Sequence, residues 1–245
     1  GGYMAALDLP IQDSMMLVQE YAYRTVAMDV VERYNLRAPR VAASFLTRCI
    51  SSSARELSVN KVANEFKSRG VSTSRETLSN LLGYYEEAYL VFSLGDLSRS
   101  LADNPRSSSK VYAVDPGMFA SFSRAAAREE GQRLETAVFN KLRRTAPTAR
   151  SGSLARLTFE HGGSAHEVDF IMGDALLGDV YELVQVSVDL ANPKTRLREI
   201  SALESAMEKH GIDESTIVTM DTEETVHVDS GTVRVVPAWK WLLDN

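Results

Sequence analysis

The sequence predicts a fold of the α/β and α+β classes, in which N-terminal helices lead into a helix-turn-helix and then into a domain with a mixed sheet. Three observations indicate this. Apolar residues recur at helical spacing early in the chain, two short β-rich runs follow a pair of short helices, and beyond Pro116 β-like runs alternate with helical segments. We expect three segments, at residues 1–37, 38–116 and 117–245.

Composition excludes several classes of protein. The 245 residues are 44% hydrophobic and 24% charged, which is typical of a soluble globular protein, and no apolar run reaches the roughly 20 residues of a membrane helix. The beginning carries acidic residues and lacks the basic start of a secretory signal. A single cysteine, Cys49, rules out an intramolecular disulfide and favours a reducing compartment. The sequence therefore predicts a cytoplasmic protein that has no membrane partner.

The net charge of -6 is spread unevenly along the chain. Residues 38–115 carry ten basic and eight acidic side chains, whereas residues 125–245 carry thirteen basic and twenty acidic ones. Only the middle of the chain can therefore attract a polyanion such as DNA, and its excess of positive charge is small.

The first helices are indicated by apolar periodicity. Between Gln12 and Tyr34 the spacing predicts one long helix or two short ones. The inward positions are expected to be Met16, Leu17, Tyr21, Ala27, Val30 and Val31. Pro39 then interrupts the pattern, and residues 41–50 predict a further helix.

A helix-turn-helix follows. Ser58 can cap a helix over residues 59–68 that ends at Gly70, and Ser72 or Thr73 can cap a second helix. The inward residues are expected to be Val59, Val62, Ala63 and Phe66 on the first helix, and Leu78, Leu81, Leu82, Tyr85 and Tyr89 on the second. The β-rich runs YLVFSL and KVYAVDP come next, separated by a polar stretch. Two helices followed by a hairpin predict a winged helix.

The last segment alternates between helical and β-like patterns. Helices are expected at 118–127, 128–146 and 194–210, with Leu197, Ile200, Leu203 and Met207 inward on the last of these. Strands are expected at 155–160, 167–172 and 180–188, and then in STIVTMD, ETVHV and TVRVVP before a short final helix. This order favours a mixed sheet with helices on its faces.

Polar side chains in two of these strands are candidates for a site. Strand alternation places Glu167 and Asp169 on one face, and pairing of the strands would bring Asp169 next to Gln185. Glu135 lies on a helix face that also carries apolar contacts, so this carboxylate would need a partner. A cation such as Mg²⁺, held by Asp169 and Glu135, is one candidate, because it could activate water against a phosphate. A structural role for Glu167, paired with an arginine such as Arg143 or Arg156, is the alternative.

Glu135 on a helix, EVDF on a strand and ELVQVS on the next strand resemble the PD-(D/E)XK, restriction-endonuclease-like fold. With the winged helix and the ending that starts at NPKTRLREI, essentially the whole chain is similar to the C-terminal region of a family of predicted bacterial and archaeal AAA-type ATPases. The opening GGYMAAL resembles the stretch where the ATPase module of that family gives way to this region. The resemblance implies a recognition module downstream of an ATPase.

The resemblance assigns roles residue by residue. Glu135 and Asp169 match the helix and strand carboxylates of the nuclease motif, whereas Gln185 and Ser187 stand where active members carry glutamate and lysine. A serine does not supply the positive charge of that lysine, and Gln185 offers only a neutral ligand. Glu182 lies on the opposite strand face. Hydrolysis is therefore expected to be lost or weak.

The predicted winged helix supplies candidate DNA contacts. On the second helix these are Ser74, Arg75, Ser79 and Asn80, and the phosphate contacts are Lys61, Lys67 and Arg69. Three acids on the same helix, Glu76, Glu86 and Glu87, would oppose DNA, and a protein partner is the alternative.

Three hypotheses remain open from the sequence. The leading one is a module that binds DNA or a protein and has lost hydrolysis; the second is a Mg²⁺-dependent nuclease that uses Asp169, Glu135 and Gln185. The third is a structural or oligomerisation region without affinity for nucleic acid. The chain has no G-x-x-x-x-G-K-[ST] motif, so ATP is expected to bind only through an upstream module. Met28 precedes Asp29 where relatives often have an Arg-Asp pair.

Overall fold

The computed structural model describes residues 2–97, 109–123, 129–145, 154–174 and 179–243. The chain forms two compact units, the first made of Gly1–Ser93 and Arg106–Thr136 and the second of Leu94–Pro105 and Ala137–Asn245. The predicted segments 1–37 and 38–116 thus fall largely in one unit. Most of the polar stretch predicted to join the hairpin strands, residues 98–108, and the end of the helix predicted at 118–127 lie outside the described residues. No helix in the described part of the chain is long and apolar enough to cross a membrane.

The first unit begins with a continuous helical stretch. After a short 3₁₀ turn at Met4–Ala6, helix α1 spans Ile11–Thr25 and continues as a π-helix over Val26–Glu32. Its buried residues recur every four positions, at Val18, Ala22, Val26 and Val30. The predicted inward stripe was therefore wrong at Met16, Tyr21 and Ala27, which are exposed, because the stripe that packs inward is the one led by Val18. Helix α2 spans Pro39–Ser51 and confirms the next predicted helix.

Helices α3 and α4 confirm the predicted pair. Helix α3 spans Val59–Ser68 and α4 spans Arg75–Glu87. Ser58 caps α3 as predicted, but the cap of α4 is Ser74, whose hydroxyl accepts a hydrogen bond from the Thr77 amide. Ser72 and Thr73 were therefore wrong as caps. Tyr89 was also wrong as an inward residue, because it lies beyond the end of α4 at a φ of 54° and is exposed.

A three-stranded sheet completes the secondary structure around these helices. Strands β1, β2 and β3 span Arg55–Leu57, Val91–Leu94 and Ser109–Ala113, in the order β1-β3-β2, with β1 antiparallel to β3. Buried side chains from α1, α2, α3 and α4 pack into one core, in which Tyr85 is fully buried and its hydroxyl donates to the Ala42 carbonyl at 2.6 Å. Helix α5 follows at Pro116–Phe122, and α6, at Glu130–Thr145, crosses the boundary between the units.

The second unit contains a six-stranded mixed sheet. Its strands are β4 at Leu154–His161, β5 at Ser164–Asp174, β6 at Asp179–Val186, β7 at Glu214–Thr219, β8 at Glu224–Val228 and β9 at Gly231–Pro237. The strand order is β4-β5-β6-β7-β9-β8, and the β6-β7 and β7-β9 pairs are parallel. This confirms a mixed α/β arrangement. Helix α8, at Ala238–Leu243, follows the last strand.

Helix α7, at Pro193–His210, connects the parallel strands β6 and β7. Asn192 caps it by accepting from the Lys194 amide, and Gly211, in the left-handed conformation at φ 67°, ends it. Its buried face includes Leu203 and Met207, as predicted. Leu197 was wrong as an inward residue, since 71% of it is exposed.

Candidate functional site

The structure brings Asp169 and Gln185 together on neighbouring strands. Phe170 of β5 pairs with Val184 of β6, which aligns the two polar residues. The Asp169 amide donates to Gln185 Oε1 at 3.0 Å, and the Val186 amide donates to Asp169 Oδ2 at 3.0 Å. Asp169 and Gln185 are both buried. Each of the two side chains thus accepts a bond from a backbone amide of the neighbouring strand, at the predicted position.

A residue that the sequence interpretation missed completes this cluster. Gln185 Nε2 donates to Oε2 of Glu199 on α7 at 2.6 Å, and Glu199 is only 4% exposed. The guanidinium of Arg198 donates to the other Glu199 oxygen, and this bond raises the pKa of Arg198. The signal was available, because Glu199 stands three and four positions before the buried residues Ala202 and Leu203 and so belongs to the inward stripe.

Ser187 lies where the resemblance would place a lysine. Its hydroxyl donates to the Asp189 carbonyl at 2.8 Å, and it is buried. The group at this position is therefore neutral and engaged with the backbone. Among the described residues, no three or more His, Cys, Asp or Glu side chains are grouped so that they could hold a metal ion.

Glu135 lies on the part of α6 that belongs to the first unit, whereas Asp169 belongs to the second. Lys110 Nζ and the Tyr112 hydroxyl both donate to Glu135 Oε1, at 3.0 Å and 2.8 Å. From the sequence we expected this carboxylate to need a partner. Lys110 and Tyr112 are two such partners. An ammonium at this distance compensates for the burial of the carboxylate.

Glu167 lies next to Arg156, one of the two arginines with which the sequence predicts a structural pairing. Arg156 of β4 is almost fully buried, and its guanidinium lies 3.8 Å from Glu167 Oε1 and 3.6 Å from Asp96 Oδ2. The Thr158 hydroxyl also donates to Asp96. Asp96 forms an isolated bridge with Arg156, so this ion pair fastens the segment after β2 to the edge of the second sheet.

Glu182 lines a separate cleft of about 710 Å³ in the second unit, together with Lys141 and Trp241. Burial raises the pKa of Glu182, and the nearby Lys141 ammonium partly offsets this. The Lys141 ammonium lies 4.7 Å from the centre of the Trp241 ring. Glu182 makes none of the hydrogen bonds that join Asp169, Gln185 and Glu199, so it is not part of that cluster.

Replacing Glu182 with glutamine tests this environment. A carboxyl group whose pKa is raised by folding binds its proton more tightly in the folded state, so stability falls as pH rises from about 4.5 towards the folded pKa. We expect Glu182→Gln to remove that fall, and so to gain stability relative to the wild type at pH 7 but not at pH 4. Urea unfolding at both pH values measures the difference. An equal effect at both values would contradict the assignment.

The exposed surface of α3 and α4 carries the predicted DNA contacts. Lys61, Lys67, Arg69, Arg75, Ser79 and Asn80 are all exposed. The hydroxyl of Ser74, also predicted, accepts from the Thr77 amide and caps α4.

Two of the three opposing acids on α4 are engaged elsewhere in the first unit. Glu86 accepts from the amide and hydroxyl of Ser93, and Glu87 accepts from the Tyr34 hydroxyl. Glu76 remains on the exposed first turn.

Comparison with known proteins gives a family but no activity. The family model described as "Domain of unknown function (DUF8612)" matches residues 1–129, which lie largely in the first unit. An uncharacterized protein of Methanocaldococcus jannaschii is 33% identical over 233 residues, which cover 93% of this chain and 50% of that protein. The chain therefore spans about half the length of this relative. No solved structure matches the chain at a significant level.

Proposed function

Since the chain belongs to the DUF8612 family, we propose from the geometry of its two units that it is a DNA-recognition module. In this proposal a winged helix binds the nucleic acid, and a restriction-endonuclease-like domain has kept its fold without hydrolysis. The module is the C-terminal region of an AAA-type ATPase, whose separate upstream module binds ATP. If the binding experiment detects no DNA binding, a protein partner for the winged helix is favoured instead.

The observation that carries the proposal is the exposed polar face of α4 above a buried apolar face. Leu78, Leu81 and Tyr85 anchor the helix in the core, and Arg75 and Asn80 remain at the surface. The chain order β1, α3, α4, β2, β3 with a β1-β3-β2 sheet supports a winged helix. In that motif the second helix is the one that enters the major groove.

The second unit supports the nuclease-like part of the proposal. Helix α6 precedes three antiparallel neighbours, β4, β5 and β6, and α7 then leads to the parallel strand β7. A helix that carries Glu135, followed by the strands that carry Asp169 and Gln185, supports the resemblance to that fold. Gln185 joins Asp169 and Glu199 through hydrogen bonds, and Ser187 supplies no charge. A site of this kind lacks the lysine ammonium that would position or deprotonate an attacking water.

Substitution of Arg75 tests DNA recognition. We expect Arg75→Ala to weaken binding of duplex DNA by about 1–3 kcal/mol, because an arginine on the recognition helix contacts phosphate or a guanine edge. Fluorescence anisotropy at several salt concentrations measures the affinity and its salt dependence.

The matched control is Arg40→Ala, which removes an exposed arginine from α2 in the same unit. We expect its affinity to stay close to that of the wild type. Equal affinities for all three proteins would remove α4 from the DNA interface. Absence of salt-dependent binding by the wild type would remove DNA as the partner and favour a protein.

Cleavage separates recognition from catalysis. Single-stranded, duplex and branched DNA are incubated with Mg²⁺ or Mn²⁺ and either the wild type or Asp169→Ala, with folding of both checked by circular dichroism. We expect no cleavage by either protein. Cleavage by the wild type that is lost in Asp169→Ala would establish the nuclease alternative and overturn the non-hydrolytic part of the proposal.

A further inference from the structure

The cleft that contains Glu182 lies on one face of the six-stranded sheet. Val184, Thr216 and Arg234 stand side by side on β6, β7 and β9. Thr216 and Arg234 line the cleft, and strand alternation places Glu182 on the same face as Val184. Gln185, which bonds to a side chain of α7, points to the opposite face. The cleft is therefore separate from the hydrogen-bonded cluster that Gln185 joins.

The cleft combines polar and apolar walls. Lys141 of α6 and Trp241 of α8 lie at its sides, and the half-buried Val236 of β9 contributes an apolar patch to its floor. Its volume of about 710 Å³ lies in the range of sites that hold small molecules.

A β-bulge lies directly beside Glu182. Met172 of β5 pairs with Glu182, but Gly173 pairs with Val180, so Tyr181 is an extra residue on β6. Bulges change the direction of neighbouring side chains and occur often next to active sites. The irregular pairing thus coincides with the carboxylate that lines the cleft.

Glu182 differs from the other carboxylates of the cleft. Four glutamates line it, and three of them are paired with a basic side chain. These pairs are Glu214 with Arg234 at 3.1 Å, Glu224 with Arg196 at 3.0 Å, and Glu223 with Lys240. In the described part of the chain, the side chain of Glu182 forms neither a hydrogen bond nor an ion pair. Its oxygens can therefore accept hydrogen bonds from a ligand.

The basic side chains that line the cleft are already engaged. Arg234 and Lys240 hold the glutamates named above. Lys141 donates to the Trp241 carbonyl and lies over the ring of the same residue, so it attracts Glu182 without forming an ion pair with it. The binding capacity that is left is that of an acceptor, and its complement is a positively charged donor.

The energetics of Glu182 agree with this. Burial raises the pKa of Glu182, which means that its ionised form costs stability in the folded protein. A cation that pairs with the carboxylate offsets this cost. A perturbed carboxyl group in a cleft is typical of functional sites.

We propose that this cleft binds a small organic cation. Its primary ammonium or guanidinium group pairs with the Glu182 carboxylate, and its apolar stem packs against Val236 and Trp241. The site belongs to the second unit and uses none of the residues of α4, so the inference goes beyond the proposed function.

A titration with phenethylamine, which is a cation at pH 7, tests the proposal by NMR. The chain has two tryptophans, and only Trp241 lines the cleft, whereas Trp239 is 61% exposed outside it. We expect the indole N–H signal of Trp241 to shift with a Kd of about 1 mM or lower, while that of Trp239 stays in place. The variant Trp239→Phe assigns the two signals, and agmatine serves as the guanidinium probe.

Glu182→Gln and Glu214→Gln form a matched pair of variants. Each removes one negative charge from the same cleft, but Glu214 is already paired and more than half exposed. We expect Glu182→Gln to bind phenethylamine at least about tenfold more weakly, because a charge-assisted hydrogen bond is lost. Glu214→Gln should bind within about threefold of the wild type. Circular dichroism checks that both variants are folded.

Three results would overturn the proposal. If neither phenethylamine nor agmatine shifted the Trp241 signal, the cleft would not be a cation site. If the neutral analogue 2-phenylethanol bound as tightly as phenethylamine, the ring alone would account for binding. If both glutamine variants weakened binding equally, the general field of the cleft would act in place of a contact with Glu182. None of these results depends on DNA recognition, which is measured with variants of the first unit.

Discussion

Replacing Arg156 with alanine is expected to destabilise the second unit by about 3–5 kcal/mol. The guanidinium is 2% exposed and lies between Asp96, which is 7% exposed, and Glu167. Its removal takes a guanidinium away from the buried Asp96 carboxylate beside Thr158, and weakening the pairing of a buried charge is far more costly than losing a surface contact. Urea unfolding followed by circular dichroism measures the loss.

The matched control is Arg234→Ala. Arg234 lies 3.1 Å from Glu214 in the same unit, but both side chains are more than half exposed, so we expect a cost below about 1 kcal/mol. A double variant, Asp96→Asn with Arg156→Met, should lose less stability than Arg156→Ala because it removes the buried Asp96 charge together with the guanidinium. If Arg156→Ala cost no more than Arg234→Ala, the buried ion pair would not fasten the 94–97 segment.

Periodicity predicted the helices and strands well because it is a local property. The expected helix at 194–210 differs from α7 by one residue at its start, and α3 has the predicted limits. Caps were less predictable, since Ser72, Thr73 and Ser74 each carry a hydroxyl that can accept an amide bond in a first helical turn, and the sequence does not select Ser74 among them. The π-helix at Val26–Glu32 was not predictable from apolar spacing, because its buried residues Val26 and Val30 continue the four-residue spacing of α1.

The candidate site was predictable only along the strands. Alternation placed Asp169 and Gln185 on faces that can meet, and the register of β5 with β6 brings them together. Glu199 reaches Gln185 only because α7 packs back across the sheet. The two residues are 14 positions apart, so strand alternation does not predict this contact. The Lys110 to Glu135 bond likewise depends on the position of β3 beside α6.

The double substitution Gln185→Glu with Ser187→Lys is expected to make stability and DNA cleavage dependent on Mg²⁺. In the wild type the side-chain amide of Gln185 donates to Glu199 at 2.6 Å, and both residues are buried. A glutamate at this position removes the donor and places a second carboxylate against Glu199 and close to Asp169. Without metal we expect a loss of about 3–5 kcal/mol.

Mg²⁺ should reverse much of that loss, because a divalent ion between carboxylates replaces the missing donor. A ligand present at 100 times its Kd adds about 2.7 kcal/mol to the free energy of unfolding. The wild type, whose site is closed by a neutral amide, should show no such gain. Thermal unfolding with and without Mg²⁺ compares the two proteins.

Cleavage is the second measurement on the same variant. With lysine in place of Ser187, we expect Mg²⁺-dependent cleavage of duplex DNA at least about 100-fold above the background measured with the wild type, which is itself expected not to cleave, because a positioned base or water-orienting group contributes about that much. Adding Asp169→Ala to the double variant should abolish both the cleavage and the stabilisation by Mg²⁺. If the wild type were already stabilised by Mg²⁺ as strongly as the double variant, the amide of Gln185 would not close the site. The nuclease alternative would then explain the retained Asp169 better than recognition does.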